Sequence, residues 1–266
     1  MAALVGIFFS LKTPVLAQAF LDSALKDGTG IRALGMGGAF TGASTDGNAI
    51  FYNPAGMAEQ SFRYERGYLD LKNQNLAAGD YTYVTLPSLG LGDARVADAS
   101  GNVVQIFTTA FGTRGRNRVA WGISHKAVTG VIGGTPVAGY SFDAGIQGLI
   151  QPNLAYGVVL QDIFRENVPV ATSARLGLAY RHSPSVGLFT TDLEIRDFKS
   201  PSGAKLFMHY GLESELTDNL VVRLGWGRES YTAGLTVRLK WMTVIYALST
   251  DTTQPTVHRI AFQLGQ

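Results

Sequence analysis

From residue 61 onward the chain is written in short alternating runs broken by turn residues, the pattern of strands with one apolar and one polar face. Leu176, Leu178 and Tyr180 alternate with Arg175, Gly177, Ala179 and Arg181, and a turn at His182 to Ser185 follows. Phe189, Thr191, Leu193 and Ile195 then alternate with Thr190, Asp192, Glu194 and Arg196. The same period of two runs through 206–212, 220–226, 231–239 and 260–264. Further strands are expected over 34–43, 62–72, 77–86, 101–112, 117–128, 138–149, 153–162 and 241–250. The total is about fourteen, an even number as in single-chain bacterial barrels, and twelve also fits. Residues 87–100, with Gly90, Gly92, Asp93 and Asp98, read as the longest loop.

Periodicity does not say which face is wet. A soluble sandwich or solvated barrel would carry the same alternation with its apolar face inward. Composition favours the membrane. Hydrophobic residues make up 46% and charged residues only 16%, and the mean hydropathy is +0.11. Past the N-terminus no apolar run approaches the roughly 18 residues of a membrane helix. Glycine, 32 of 266 residues, costs about 1 kcal/mol in a helix interior relative to Ala and suits a crowded barrel interior. The polar faces are rich in Gly, Ala and Thr. Tyr180, Tyr210, Trp226, Tyr231, Trp241 and Tyr246 sit near strand ends or on apolar faces, as interface girdles do. The expected fold is all-β, a transmembrane antiparallel β-barrel.

The N-terminus points the same way. Residues 2–11 are almost wholly apolar, and Ala17-Gln18-Ala19 forms a signal-peptidase site with cleavage after Ala19, although no Lys or Arg precedes the apolar run. The chain therefore divides into a signal peptide (1–19), an N-terminal segment (20–60) and the barrel (61–266). In Asn53-Pro54-Ala55-Gly56, Asn53 suits an N-cap and Pro54 the first helical position.

Ala33-Leu-Gly-Met-Gly-Gly-Ala-Phe-Thr-Gly42 and Asp46-Gly-Asn-Ala-Ile-Phe-Tyr-Asn-Pro-Ala-Gly-Met-Ala58 resemble the N-terminal signature of the FadL/PorV/PorQ-type outer-membrane barrels. Arg175 to His182, Leu216 to Trp226, Tyr231 to Leu239 and His258 to Ile260 resemble the closing strands of the PorV-like branch. The likeness is vague from about 85 to 170. It implies a barrel with a short plug: residues 20–60 hold the first strand and the plug, with Asn53, Pro54, Ala55 and Gly56 in it. The C-terminal Phe262-Gln-Leu-Gly-Gln266 lacks the terminal aromatic residue that many such barrels carry.

With apolar faces toward outer-membrane lipid, Arg175, Asp192, Glu194, Lys205, His209, Glu213, Arg223, Arg238 and Arg259 line the lumen, as does Arg181. Facing lipid, an Arg or Lys would cost about 2–4 kcal/mol at the midplane. Mixed signs favour an ion-pair network that fills the lumen over a pore filter. If Arg181 opposes Val186, Arg175 faces Asp192, with Glu194 and Lys205 as neighbours. The absence of Cys excludes disulfides. His125, His182, His209 and His258 stand alone without metal-ligand spacing. Gly28-Thr-Gly30-Ile-Arg-Ala33 follows no strand and is no dinucleotide loop. Basic residues are not clustered for nucleic acid. No catalysis, metal or cofactor is expected. The expected function is a passive channel for small molecules, hydrophobic ones included, with a small hydrophobic ligand or detergent in the lumen. The alternatives are an accessory barrel of a type IX-like secretion or attachment machine and a purely structural barrel.

Overall fold

The structure is a computed structural model describing residues 18, 20–21, 29–69, 78–98, 100–116, 118–183, 187–198, 203–251 and 256–265. The export signal expected over 1–19 lies outside these residues apart from Gln18.

Among the described residues the alternating runs form fourteen strands: β1 (Arg63–Leu69), β2 (Ala78–Leu86), β3 (Leu89–Ala97), β4 (Val103–Arg114), β5 (Ala120–Ile132), β6 (Thr135–Gln151), β7 (Leu154–Glu166), β8 (Ser173–Ser183), β9 (Gly187–Arg196), β10 (Lys205–Thr217), β11 (Leu220–Gly227), β12 (Ser230–Arg238), β13 (Thr243–Asp251) and β14 (Val257–Leu264). Each pairs antiparallel with its neighbours in sequence. β1 closes the ring on β14, with Tyr64 opposite Leu264 and Tyr68 opposite Ile260. Closure leaves no unpaired edge, as a sheet in hydrocarbon requires.

The period of two sorts the faces. Leu176, Leu178 and Tyr180 are exposed on the outside of β8, while Arg175, Gly177 and Ala179 are buried inside. β10 repeats this with Leu206, Met208 and Tyr210 outside and His209 buried. One outward row is polar. Near the far ends of β1 to β4, Arg66 pairs with Asp80 at 3.0 Å and Gln105 donates to Asp93 at 2.9 Å.

Three expectations need correction. Residues 34–43 are not a strand. They finish a short helix, α1 (Ile31–Gly35), and then turn inside the barrel at Gly37 (φ 64°) and Gly38 (φ 79°), conformations closed to a strand. Residues 87–100 are not a long loop but hold β3. Gly90 and Gly92 read as turn residues, yet they are small because side chains of the inner segment press against them: a Cβ on Gly90 would meet Ile50 and Met57, and one on Gly92 would meet Phe51. The β8–β9 register is also shifted by two. Arg181 faces Leu188, so Arg175 faces Glu194 and Asp192 faces Gly177. β8 runs on to Ser183, past the start of the turn expected at 182–185, and β9 begins at Gly187 (φ 131°). A two-residue shift keeps every side chain of these strands on its face while the pairing changes.

The segment between α1 and β1 adds a second helix, α2 (Ala49–Tyr52), and a 3-10 helix, Pro54–Glu59. Both lie within the barrel. α1 packs on β12 and β13, and the 3-10 helix on β4, β5 and β6.

The register is testable because the chain has no native Cys. Leu176→Cys with Leu193→Cys places two thiols directly opposite on the outer face, within disulfide reach. Leu176→Cys with Thr191→Cys places them on a diagonal about 7–8 Å apart. Oxidation should cross-link the first pair and not the second, read by reducing against non-reducing electrophoresis. The opposite result would restore the shorter register.

Candidate functional site

The site is the lumen and the segment that fills it. Asn53, Pro54, Ala55 and Gly56 are all buried there. Asn53 Oδ1 accepts from Ala55 N at 3.2 Å, capping the 3-10 helix with Pro54 in its first turn. Its Nδ2 donates to Thr41 O at 3.0 Å and to Ile146 O of β6 at 3.2 Å. One side chain thus ties the two limbs of the segment to each other and to the wall.

The wall is shaped for this backbone. Inward positions that face it closely are glycines: Gly122 lies against Pro54, Gly145 against Asn53, Gly157 against Thr41, and Gly225 against Met36 and Gly37. At each, a Cβ would overlap atoms of the segment. Much of the high glycine content therefore serves contact rather than turns.

The lumen has two sides of different chemistry. On β8 to β12 it is polar and grips the turn after α1. Asp192 Oδ2 accepts from the N–H groups of Phe40 and Thr41 at 3.0 and 2.9 Å. Thr232 Oγ1 accepts from Gly37 N at 2.9 Å. Arg175 donates to Gly38 O at 3.3 Å and to Glu194 at 3.0 Å. His209 places Nδ1 2.7 Å from Gly37 O and Nε2 3.0 Å from Glu194. Both ring nitrogens thus face acceptors, one on the inner segment and one on the wall. Glu194, fully buried, also holds Arg196 at 2.7 Å and Arg228 at 2.8 Å. Beneath this, Arg32 of α1 forms a bidentate pair with Glu213, both contacts 2.7 Å. Arg223 reaches the same carboxylate at 2.7 Å, and Arg32 reaches Asp46 at 3.0 Å. Two-pronged guanidinium–carboxylate pairs are among the strongest polar contacts a protein makes.

On β3 to β5 the inner wall is apolar. Ala94, Val96, Val104, Ile106, Val128 and Ile132 are buried, packed in one cluster with Leu21, Ile50, Met57 and, from the β7–β8 connection, Val168 and Val170. Among the described residues one buried charge interrupts it, Lys126 on β5, which sits between two carboxylates. Lys126 lies 2.9 Å from Asp143 and 3.1 Å from Asp162. Ser124 donates to Asp143 and Ser141 to Asp162. Asp162 takes a left-handed φ of 56°, which a short acidic side chain tolerates, where β7 carries extra residues against β6.

Of the charged residues expected to line the lumen, Arg175, Asp192, Glu194, His209, Glu213 and Arg223 are buried inside and interact with the inner segment or with one another. Arg259 is half-buried on the inner face of β14. Lys205 stands exposed at one end, opposite Arg196 rather than beside Glu194. Arg238 and Arg181 stand exposed at the other end, and Arg238 pairs there with Glu215. The expected Arg175–Asp192 pair is replaced by Arg175–Glu194, because the register frees Asp192 for the backbone of the inner segment. Arg32, Asp46, Arg196, Arg228 and the Lys126 group were not singled out from sequence. Arg32 stands immediately before the Ala33–Gly42 signature and Asp46 opens the second part of it, which is the signal that could have found them.

Gly225→Val should leave β11 intact, since a β-branched residue suits a strand, but drive the Met36–Gly37 turn off the wall. The expected outcomes are new protease cleavage within 30–60 and raised conductance in planar bilayers, with the barrel still folded by heat-shifted electrophoretic mobility. Unchanged cleavage and conductance would show that this contact does not hold the segment.

No family model and no curated protein matches the chain. Solved structures do. The chain is similar to the Ralstonia pickettii toluene transporter TbuX, with a TM-score of 0.68 and 13% identity over 90% of this chain and 98% of that one. It is similar to the Pseudomonas putida toluene transporter TodX, with a TM-score of 0.65 and 11% identity over 89% and 96%. A Pseudomonas aeruginosa FadL homologue gives 0.62 and 10% over 90% and 99%. At these identities the likeness is one of architecture: the chain has the closed fourteen-strand fold of FadL-like outer-membrane barrels.

Proposed function

We propose that this chain is an outer-membrane channel for small apolar molecules, closed at rest by residues 30–60 acting as a plug. The observation that carries the reading is the apolar strip on β3 to β5 and the β7–β8 connection packed against it. Porins for hydrophilic solutes keep a polar, water-filled lumen, whereas this strip is aliphatic apart from Thr108, Ser124 and the already paired Lys126. The toluene carried by the neighbours TbuX and TodX is of the right chemistry. Membership of the PorV-like branch and a role as an accessory barrel are compatible with the filled lumen, but no other contact favours them.

Orientation follows from the turns. At the end where β1 begins and β14 finishes, the connections run from two residues (87–88, 152–153, 218–219) to five (115–119). At the other end two are of two residues (133–134, 228–229), but the rest run from five to eight, with 70–77 and 197–204 the longest. Short turns belong on the periplasmic side. An apolar solute would then meet the β7–β8 connection and the apolar strip first, and the Arg32–Glu213 region last.

Two experiments test this. Deletion of 44–60 should raise single-channel conductance; a folded barrel with unchanged conductance would end the plug reading. Ile106→Glu puts a charge into the apolar strip and should abolish uptake of radiolabelled toluene by cells bearing the protein, while Thr236→Glu, on the polar side, should spare it. If wild-type cells take up no more toluene than cells lacking the protein, the accessory or structural role is the better reading.

A further inference from the structure

At the end of the barrel where β1 begins and β14 finishes, the lumen opens into a cavity of about 620 Å³ between α1, the rim of β8 and the β12–β13 turn. That volume is in the range of small-molecule sites. Its charges do not balance. The carboxylates lining it are Asp46, Glu213 and Glu215, and all are engaged: Glu213 by Arg32 and Arg223, Asp46 by Arg32, Glu215 by Arg238. Three more cations line the same cavity, Arg63, Arg181 and Lys240. Among the described residues none of their side chains has a carboxylate in salt-bridge contact. The Nε of Arg63 is shielded from solvent without an acceptor. Glu65, one inward position further along β1, accepts from Tyr81 and Tyr83 at 2.6 and 2.8 Å and lies near enough for its charge to be felt by Arg63, but not in salt-bridge contact with it.

We infer that this vestibule is a binding site for a small oxyanion, a molecule bearing phosphate or carboxylate groups. Arg63 comes from β1, Arg181 from the end of β8 and Lys240 from the β12–β13 turn, so the cations converge from separate parts of the rim. Guanidinium groups match the two-oxygen geometry of phosphate and carboxylate. With each described carboxylate of the cavity already engaged, these three cations favour a bound anion. The site is independent of the apolar strip and stands whether or not the barrel passes apolar solutes.

Trp241 lines the same cavity and reports on it. The full chain in neutral detergent is titrated with pyrophosphate, read by Trp241 fluorescence with Trp121 and Trp226 replaced by Phe, and by calorimetry on the unsubstituted protein. Saturable binding is expected, weakened about tenfold by Arg63→Gln and again by Arg181→Gln, the loss of one charged hydrogen bond each. It should also weaken with added sodium chloride. A second arm places the protein in phosphatidylcholine nanodiscs with rising phosphatidylglycerol. Displacement of pyrophosphate by that lipid assigns the site to a phosphate headgroup, and undisturbed binding assigns it to a soluble ligand; either supports the oxyanion site. No saturable binding, or binding undiminished when Arg63, Arg181 and Lys240 are all Gln, overturns it.

Discussion

The pairing of β1 with β14 is the constraint on which the rest of the molecule depends. In hydrocarbon an unpaired N–H or C=O costs several kcal/mol, so a sheet there must close, and this one does between Tyr64–Tyr68 and Ile260–Leu264. Closure creates an inside. Fourteen strands enclose more space than their own inward side chains fill, particularly where those side chains are glycines. The chain fills it with its own N-terminal segment, whose backbone groups then need partners as well. They find them in the wall: Asp192 for two N–H groups, Thr232 for a third, Arg175 and His209 for two carbonyls.

The buried charges are intelligible on the same terms. An isolated charge in such a place is costly, and removing one partner of a buried pair costs about 3–5 kcal/mol. Here each carboxylate serves several donors. Glu194 collects three arginines and a histidine, and Glu213 joins α1 to β11 through Arg32 and Arg223. The surplus positive charge around Glu194 is offset by the carbonyls of Gly37 and Gly38. The network is therefore a clasp on the inner segment as well as a brace for the wall, which mixed charge along the strands alone does not reveal.

The two sides of the lumen hold the inner segment by different forces. Polar contacts concentrate on β8 to β12, while β3 to β5 meet the segment mainly through Ile50, Phe51, Pro54 and Met57 against glycine and aliphatic side chains, with Glu59 paired to Arg114 of β4 at the edge. Apolar contacts lack direction, whereas the Asp192 and Glu213 contacts are directional. The polar side therefore fixes where the segment sits, and the apolar side fills the space left beside it.

The alternation of Leu176 to Tyr180 and of Phe189 to Ile195 was enough by itself to determine strands and their two faces, because side-chain direction in a strand is set locally by a period of two, while the choice of the apolar face as the outer one needed composition as well. The Asn53-Pro54 cap was equally local. Sequence alone did not determine the identity of every strand. Residues 34–43 read as a strand and 89–97 as a loop because glycine carries no sign of whether it turns the backbone, as at Gly37, or yields space to a neighbour, as at Gly90. That difference lies in what stands across the lumen. Nor did sequence determine that Arg175 meets Glu194 rather than Asp192, since the faces are the same in either register and only the length of the 184–186 turn separates them. The two-sided lumen, the grip of Asp192 on the Phe40–Thr41 backbone and the uncompensated cations of the vestibule were decided by the closed barrel, because closure alone brings together residues 150 positions apart.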